Sequence, residues 1–355
     1  MAGGRVLLYG STGFTGKLIL ARALAAGLRP VLAGRDAAGV RAVAAPLGLA
    51  WRAAPVTDPA ALDAALRDVD VVLNAAGPFA DTALPLARAA ARRRAHYLDV
   101  CGEVDVIEAL ARRHAEWRAQ GVMVMPAVGF DVVPSDCLAV RLVRESPGAR
   151  TLRIGIQGLY LLSRGSAETL AREWGRGIRL RRDGRIETVP PGAMTHAFDY
   201  GDGPRTSLLV SWGDVASAYY STGIPNVETY FAAGPALQAV MAANRLIGPL
   251  LSTAPAQALM QAWHALLPAA PPAAMRERVE TVVVAEIEAP SGARRAARVR
   301  AGDSYEFTAA SATVVARRVA AGEAVPGFQT PARVFGPELL AEVPASAVER
   351  AEAPR

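Results

Sequence analysis

Short apolar runs alternate with stretches of helical spacing along the first third of the chain. The apolar runs occupy residues 5–9, 30–36, 49–56, 70–74, 96–100 and 122–126. After the first run, the apolar positions Leu18, Ile19, Ala21 and Leu24 recur at the intervals of a helix face. This alternation of strands and helices predicts an α/β fold with a doubly wound parallel sheet and right-handed crossovers.

The alternation stops near residue 136, where a second, α+β domain is expected. Its predicted helices cover 136–145 and 165–176, and its predicted strands cover 151–157, 206–212 and 229–232. A hairpin is predicted from 279–288 and 293–300, which flank a Pro-Ser-Gly turn. Residues 309–320 form an alanine-rich helix that is expected to pack back onto the first domain. The expected divisions are 1–135, 136–302, a returning C-terminal segment at 303–342, and a flexible tail at 343–355.

One segment of the second domain, residues 237–275, is apolar and interrupted by five prolines. We interpret it as buried helices or as a lid over an apolar substrate channel. A helix lying on a membrane surface is the alternative, although the segment lacks the basic polar face that such helices carry.

Three glycines separate the first strand from the first helix in the motif Gly10-Ser11-Thr12-Gly13-Phe14-Thr15-Gly16. Gly10 allows the turn, Gly13 lets backbone N–H groups approach a pyrophosphate, and Gly16 lets the helix lie close to the sheet. The helix N-terminus then faces the phosphates. A nucleoside triphosphate loop is excluded by spacing, because Ser11 stands where its first glycine belongs and Leu18 follows Lys17. We therefore predict a dinucleotide-binding Rossmann domain at 1–135.

The end of the second strand indicates which dinucleotide binds. An acid there would bind the 2′-hydroxyl of NAD, whereas this chain has Gly34-Arg35, and a guanidinium suits the 2′-phosphate of NADP. Asp36 keeps NAD open as an alternative, although it also suits the cap of the next helix. Asp58 is expected to cap the helix after the third strand or to lie near the adenine. We predict NADP(H) as the cofactor.

Residues at the carboxyl ends of strands four to six are the candidates for the chemistry, because ligands of such sheets bind beyond those ends. Small residues after the fourth strand leave room for the cofactor, and the predicted contacts there are Asn74, Ala76, Gly77, Pro78 and Phe79, with Gly102 after the fifth strand. The shortlist for catalysis is Phe79, Cys101, Glu103, Asp131 and Ser135. Asp131 and Glu103 are the predicted acids, and the alternative for each is a loop or helix cap. Tyr160, Tyr219 and Tyr220 are further candidate proton donors.

Four ordered motifs resemble the saccharopine dehydrogenase-like oxidoreductases, and most closely the branch that includes bacterial trans-acting enoyl reductases. They are the glycine motif, Asn74-Ala75-Ala76-Gly77-Pro78-Phe79, His96-Tyr97-Leu98-Asp99 with Gly102-Glu103, and Gly129-Phe130-Asp131-Val132-Val133-Pro134-Ser135-Asp136. Near the end, Gly327-Phe328-Gln329-Thr330-Pro331-Ala332 with Phe335-Gly336 is similar to the closing motif of that branch. The resemblance implies an NADP-dependent oxidoreductase with a second domain that binds substrate and offers a dimer surface.

The chain also departs from the family. Saccharopine reductases carry a histidine after the Gly-x-Asp motif, whereas this chain has Val132-Val133 and then Pro134-Ser135-Asp136. The Lys and His pair of the oxidative saccharopine dehydrogenases cannot be assembled either, because Lys17 is the only lysine and the glycine motif places it beside the phosphates. Saccharopine is therefore not the expected substrate.

The composition limits the kinds of molecule that this chain is expected to bind. The net charge of +6 comes from arginines spread among acids, without the basic run that would indicate nucleic acid. Two cysteines and four scattered histidines give no metal-ligand spacing, so no metal is expected. Without a signal segment or a run of membrane-spanning length, the expected location is the cytoplasm.

These observations favour an NADPH-dependent reductase that transfers hydride to a C=C or C=N bond of an apolar, acyl-type substrate. The alternatives are a dehydrogenase of an amino-acid-like substrate and a non-catalytic nucleotide-binding or membrane-associated protein. A small-molecule or acyl partner and a homodimer are expected, with no nucleic acid.

Overall fold

The computed structural model describes residues 4–158, 177–234, 253, 279–344 and 346–351 of the 355-residue chain. Two compact units divide it. The first runs to Val133 and also contains Tyr305–Pro344, and the second holds the described residues from Pro134 to Ser304 together with those after Pro344.

The first unit is built on a parallel sheet. Its strands are β1 (Val6–Tyr9), β2 (Val31–Gly34), β3 (Trp51–Ala53), β4 (Val71–Asn74), β5 (His96–Asp99), β6 (Met123–Met125) and, after the strands of the second unit, β15 (Gly327–Phe328). The spatial order is β15-β6-β5-β4-β1-β2-β3, and every described pairing is parallel. The predicted doubly wound sheet is confirmed, and the two-residue strand β15 extends it beyond the six strands expected from the sequence.

The described helices alternate with the strands as far as residue 145, as expected, and in the second unit several strands follow one another without a helix between them. In chain order they are α1 (Phe14–Ala25), α2 (Ala37–Ala44), α3 (Pro59–Ala65), α4 (Phe79–Arg92), α5 (Val104–Ala111), α6 (His114–Ala119), α7 (Val133–Glu145), α8 (Asp214–Thr222), α9 (Ser304–Ala320), α10 (Pro331–Phe335) and α11 (Leu339–Glu342), with a short 3₁₀ turn at Ala45–Leu47. Helix α4 begins at Phe79, directly after the loop that follows β4. Glu103 stabilises its first turn, because the carboxylate accepts hydrogen bonds from the N–H groups of Phe79 and Ala80.

The second unit contains a mixed sheet. Its described strands are β7 (Thr151–Gln157), β8 (Ile178–Arg182), β9 (Arg185–Val189), β10 (Thr195–Asp199), β11 (Pro204–Val210), β12 (Asn226–Ala232), β13 (Thr281–Glu288), β14 (Arg294–Ala301) and β16 (Ser346–Ala351). The main order is β10-β11-β12-β7-β13-β14-β16, and β8 joins β12 to β9. The predicted hairpin is present as β13 and β14, which pair antiparallel. Leu180, Phe198, Tyr200, Leu209 and Tyr230 belong to the core cluster of this unit.

The expected flexible tail at 343–355 is wrong for part of its length. Residues Ser346–Ala351 pair with β14 as the antiparallel strand β16, because the outer edge of that strand offers unpaired N–H and C=O groups. The predicted helix at 165–176 and Tyr160 lie outside the described residues, as does the apolar segment 237–275 apart from residue 253. Among the helices that are described, none is long and apolar enough to cross a membrane.

Candidate active site

The glycine turn after β1 is so tight that two of its glycines could not carry a side chain. Gly10 has φ +87°, and a Cβ there would lie 2.8 Å from both the Cβ and the backbone nitrogen of Ala76. A Cβ on Gly16 would collide with the carbonyl oxygen of Gly10. The N–H of Gly13 closes the turn by donating to that same carbonyl at 3.1 Å. Gly10 and Gly16 therefore both lie where the backbone leaves no space for a side chain.

The outer part of the turn has room for a phosphate. Thr12 and Gly13 are exposed, and a Cβ on Gly13 would meet only the Gly10 carbonyl oxygen, at 3.4 Å. No side chain from the described part of the protein caps α1, which begins at Phe14. The Oγ of Ser11 is fully buried and has no hydrogen-bond partner among the described residues. A buried hydroxyl without a partner beside an uncapped helix start fits a dinucleotide phosphate.

The end of β2 separates the roles of Arg35 and Asp36. Asp36 caps α2, since its Oδ1 accepts a hydrogen bond from the N–H of Ala38 at 3.1 Å. Arg35 is exposed, and its positive charge partly offsets the burial that raises the pKa of the Tyr9 hydroxyl. The acid is thus engaged with the helix, whereas the guanidinium is accessible for a 2′-phosphate.

Asp58 also caps a helix. Its Oδ1 accepts a hydrogen bond from the N–H of Ala61 at 3.0 Å, at the start of α3. The capping role named in the sequence analysis is therefore present, and a contact between Asp58 and the adenine stays a prediction.

A buried polar network shapes the loop after β4. The Oδ1 of Asn74 accepts a hydrogen bond from the N–H of Ala76 at 2.9 Å, while its Nδ2 donates to the hydroxyls of Thr82 and Tyr97, each at 3.1 Å. Thr82 in turn donates to the carbonyl of Ala76 at 2.6 Å. Asn74 therefore folds the loop of small residues back on itself, and that loop continues through the cis Gly77-Pro78 bond to Phe79.

The two predicted acids lie close together at the carboxyl edge of the sheet. Gly102 makes this possible, because a Cβ on it would collide with the Oδ2 of Asp131. Glu103 directs its carboxylate to the N–H groups of Phe79 and Ala80, at 3.1 and 2.9 Å. Burial, and to a lesser extent the charge of the neighbouring Glu103 carboxylate, raise the pKa of Asp131 to about 7. Asp131 can therefore hold a proton near neutral pH, whereas Glu103 acts as an anionic helix cap.

Helix α9 contributes residues that the sequence analysis did not single out. The ring of Tyr305 packs edge-on against Phe14 of the glycine motif, with centroids 5.1 Å apart. Thr308 accepts a hydrogen bond from the N–H of Phe130 at 3.0 Å, and the loop approaches so closely that a Cβ on Gly129 would lie 2.8 Å from the Thr308 Cγ2. These contacts join segments that are more than 170 residues apart in the sequence. The sequence analysis predicted only that this helix packs on the first domain, and it did not predict these contacts.

The remaining shortlisted side chains have other environments. Cys101 is fully buried, and burial raises the pKa of its thiol far above the ordinary value, which makes it a poor nucleophile. Ser135 is buried in the second unit and donates to the Oδ1 of Asp214 at 2.6 Å. Tyr219 and Tyr220 pack against the guanidinium of Arg181, whose central carbon lies 4.4 and 5.8 Å from their ring centroids. Within the described ranges there is no metal-ligand cluster.

The first unit matches a known protein family. Residues 6–125 match the family model of the saccharopine dehydrogenase NADP-binding domain, which confirms the cofactor expected from Arg35. A curated trans-acting enoyl reductase of Mycobacterium leprae is 36% identical over 155 residues, and one of Mycobacterium tuberculosis is 34% identical over 149 residues. These alignments cover 41% and 40% of this chain but only 37% and 36% of the relatives.

A solved structure resembles the chain over its whole length. Apo saccharopine dehydrogenase (L-Glu forming) from Saccharomyces cerevisiae has a TM-score of 0.65 and covers 99% of this chain and 100% of its own. The sequence identity is 16%, so the likeness establishes the fold of both units and leaves the reaction open.

Proposed function

We propose, from the membership of residues 6–125 in the saccharopine dehydrogenase NADP-binding domain family, that this chain is an NADPH-dependent reductase. The observation that carries the proposal is the carboxyl edge of one parallel sheet. That edge holds a glycine turn, in which the buried Ser11 hydroxyl has no partner among the described residues, and an acid, Asp131, whose pKa is about 7. Reduction of a double bond needs a hydride and a proton, and these two features match the two requirements.

Each part of the proposed reaction is assigned to residues of this chain. The glycine turn, Ser11 and the start of α1 bind the pyrophosphate, and Arg35 binds the 2′-phosphate. Bound NADPH supplies the hydride. Asp131, protonated near neutral pH, gives its proton to the substrate atom next to the one that is reduced, while Glu103 keeps the loop before α4 in place.

Three observations support the proposed substrate class. The curated relatives are named enoyl reductases, which favours a conjugated C=C bond and an acyl-type substrate. Lys17 is the only lysine, and no histidine follows Asp131 in the motif where saccharopine reductases carry one. We therefore propose an apolar C=C or C=N acceptor, recognised by residues of the second unit. A homodimer through the sheet of that unit is part of the proposal.

The proposed location is the cytoplasm. The chain has two cysteines, and both are buried free thiols, as expected in a reducing compartment.

Arg35→Ala is expected to weaken NADPH binding by about 1.5–3 kcal/mol, the range for a lost charged hydrogen bond, and to leave NADH binding unchanged. Fluorescence titration of both reduced cofactors against the wild type and the variant measures this. Arg41→Ala, on the adjacent helix α2, is the matched control for the loss of one positive charge. Equal losses for NADPH and NADH would remove Arg35 from the 2′-phosphate site.

A panel of acceptors tests the reaction itself. We expect NADPH oxidation with α,β-unsaturated acyl thioesters, hydrophobic enones or imines, and no turnover of saccharopine with either cofactor. The decrease of nicotinamide absorbance at about 340 nm measures the rate, with acceptor-free NADPH as the control. Saccharopine turnover would contradict the substrate class. Tight NADPH binding without oxidation by any acceptor would favour a non-catalytic nucleotide-binding protein.

A further inference from the structure

One buried carboxylate ties together the loops that follow two neighbouring strands. Asp99 ends β5 and is fully buried. Its Oδ1 accepts hydrogen bonds from the N–H of Cys101 at 3.0 Å and from the N–H of Ala127 at 2.9 Å. Cys101 lies in the loop after β5, and Ala127 in the loop after β6. A single oxygen atom therefore links these two loops.

The residue that donates one of these bonds, Ala127, has an unfavourable backbone conformation. Ala127 has φ +58°, in the left-handed region that non-glycine residues rarely adopt. Its N–H donates to the Asp99 side chain, and the next N–H, of Val128, donates to the Asp99 backbone carbonyl at 2.8 Å. Two consecutive hydrogen bonds to Asp99 thus hold the loop in a strained turn.

The other oxygen of Asp99 extends the network to a third loop. Its Oδ2 accepts a hydrogen bond from the hydroxyl of Tyr97 at 2.9 Å, and that hydroxyl accepts one from Asn74. Asn74 in turn holds the backbone of Ala76 after β4. Burial raises the pKa of Asp99, whereas its hydrogen-bond donors stabilise the ionised form and oppose this shift.

The loop after β6 leads directly to Asp131. The carbonyl of Val128 accepts a hydrogen bond from the hydroxyl of Ser311 at 2.8 Å, and the N–H of Phe130 donates to the hydroxyl oxygen of Thr308. Asp131 then occupies the space that a Cβ on Gly102 would need. Gly102 lies one residue after Cys101, and Asp131 lies four residues after Ala127, so the contact between Gly102 and Asp131 is made by the two loops that Asp99 holds.

We propose that Asp99 is the positioning residue of this site, which places the Asp131 carboxyl against Gly102 by holding the N–H groups of Cys101 and Ala127 on one oxygen. The proposal rests on the proposed function only for the use of Asp131 as an acid. The positioning itself is measurable in the protein without turnover.

The test follows the titration of Asp131 by NMR in full-length protein labelled with ¹³C at the aspartate carboxyl groups. Asp131→Asn assigns the signal. Glu103 is the charged neighbour that acts on Asp131, and it stays unchanged in all variants. In Asp99→Asn and in Asp99→Glu, the midpoint of the Asp131 signal is expected to fall by about one pH unit or more, because a displaced loop admits water to the carboxyl.

The charge-retaining variant separates positioning from electrostatics. A shift in Asp99→Asn alone, with Asp99→Glu like the wild type, would be an effect of the lost charge and would overturn the proposal. An unchanged midpoint in both variants would overturn it too. Exposed Asp105→Asn is the control for an ordinary loss of charge and is expected to leave the midpoint within about 0.2 units.

Tyr97→Phe provides a second test of the proposal if the Asp99 variants do not fold. It removes the hydroxyl that joins Asp99 to Asn74 and retains the Asp99 charge. We expect a smaller shift of the Asp131 midpoint in the same direction, and an unchanged midpoint in the folded variant would overturn the proposal. In the folded variants of Asp99, kcat/KM for the reduction is expected to fall about tenfold or more, while NADPH affinity changes less than about threefold.

Discussion

Asp131→Asn lowers kcat/KM for the NADPH-dependent reduction by about 10²–10⁴-fold if Asp131 donates the proton, which is the usual contribution of a general acid. Asparagine matches aspartic acid in size and suits the space beside Gly102, but it cannot release a proton. NADPH affinity is expected to stay unchanged, because the phosphate-binding residues lie in the glycine turn and at Arg35. Steady-state kinetics with the best acceptor of the panel, together with NADPH titrations, measure both quantities.

The pH dependence of the same reaction has a defined sign. The pKa of Asp131 is raised to about 7, so its acidic form is fully present below that pH and is lost above it. The rate constant of the wild type is therefore expected to be level at acidic pH and to fall about tenfold per unit above pH 7. The Asp131→Asn variant is expected to lack this decrease.

Glu103→Gln is the matched control. It retains one of the two oxygens that accept from the N–H groups of Phe79 and Ala80, and it removes the negative charge that raises the pKa of Asp131. The decrease in rate is expected to move to lower pH without a loss of the acidic plateau. Activity of Asp131→Asn equal to that of the wild type would exclude Asp131 as the acid.

Gly13→Val abolishes detectable NADPH binding, with an expected loss of more than about 100-fold, and leaves the protein folded. Gly13 has φ −74° and ψ 167°, a conformation that valine adopts readily, and a Cβ there meets only the Gly10 carbonyl oxygen at 3.4 Å. The branched side chain would instead occupy the exposed space before α1, where a pyrophosphate approaches the backbone. Fluorescence titration measures the binding, and circular dichroism measures the fold.

Variants of two other glycines are controls for the effect of Gly13→Val on NADPH binding. Gly16→Val is expected to lose the fold of the first unit as well, since its Cβ would collide with the Gly10 carbonyl. Gly302→Val places a branched side chain in open space in the second unit and is expected to change neither property. NADPH binding by a folded Gly13→Val variant would place the cofactor away from the glycine turn.

Much of the first unit could be predicted from the sequence because its signals are local. Six apolar runs with turn residues between them gave the parallel strands, and Asp36 and Asp58 could be expected to cap helices from their positions alone. The strand Gly327–Phe328 could not be found in this way, since two residues carry no periodicity. The strand Ser346–Ala351 was missed because its stability comes from pairing with β14 rather than from its own composition.

The candidate site was predictable in its residues but not in their partners. Spacing placed Glu103 and Asp131 at the carboxyl edge of the sheet, yet only the structure shows that Glu103 binds the first turn of α4 and that Asp131 packs against Gly102. The positions of Asp99 and Thr308 depend on contacts between distant segments. Such contacts follow from the packed fold and leave no mark in residue spacing.

Transfer of deuterium from NADPH labelled at the C4 position of the nicotinamide tests the central claim most directly. The protein is incubated with each labelled C4 epimer of the cofactor and an α,β-unsaturated acyl thioester, and the product is analysed by mass spectrometry. The account predicts one deuterium in the product from one epimer only, with a rate that falls when Asp131 is replaced by asparagine. NADPH that binds with Arg35-dependent affinity but transfers no deuterium to any acceptor of the panel would contradict it.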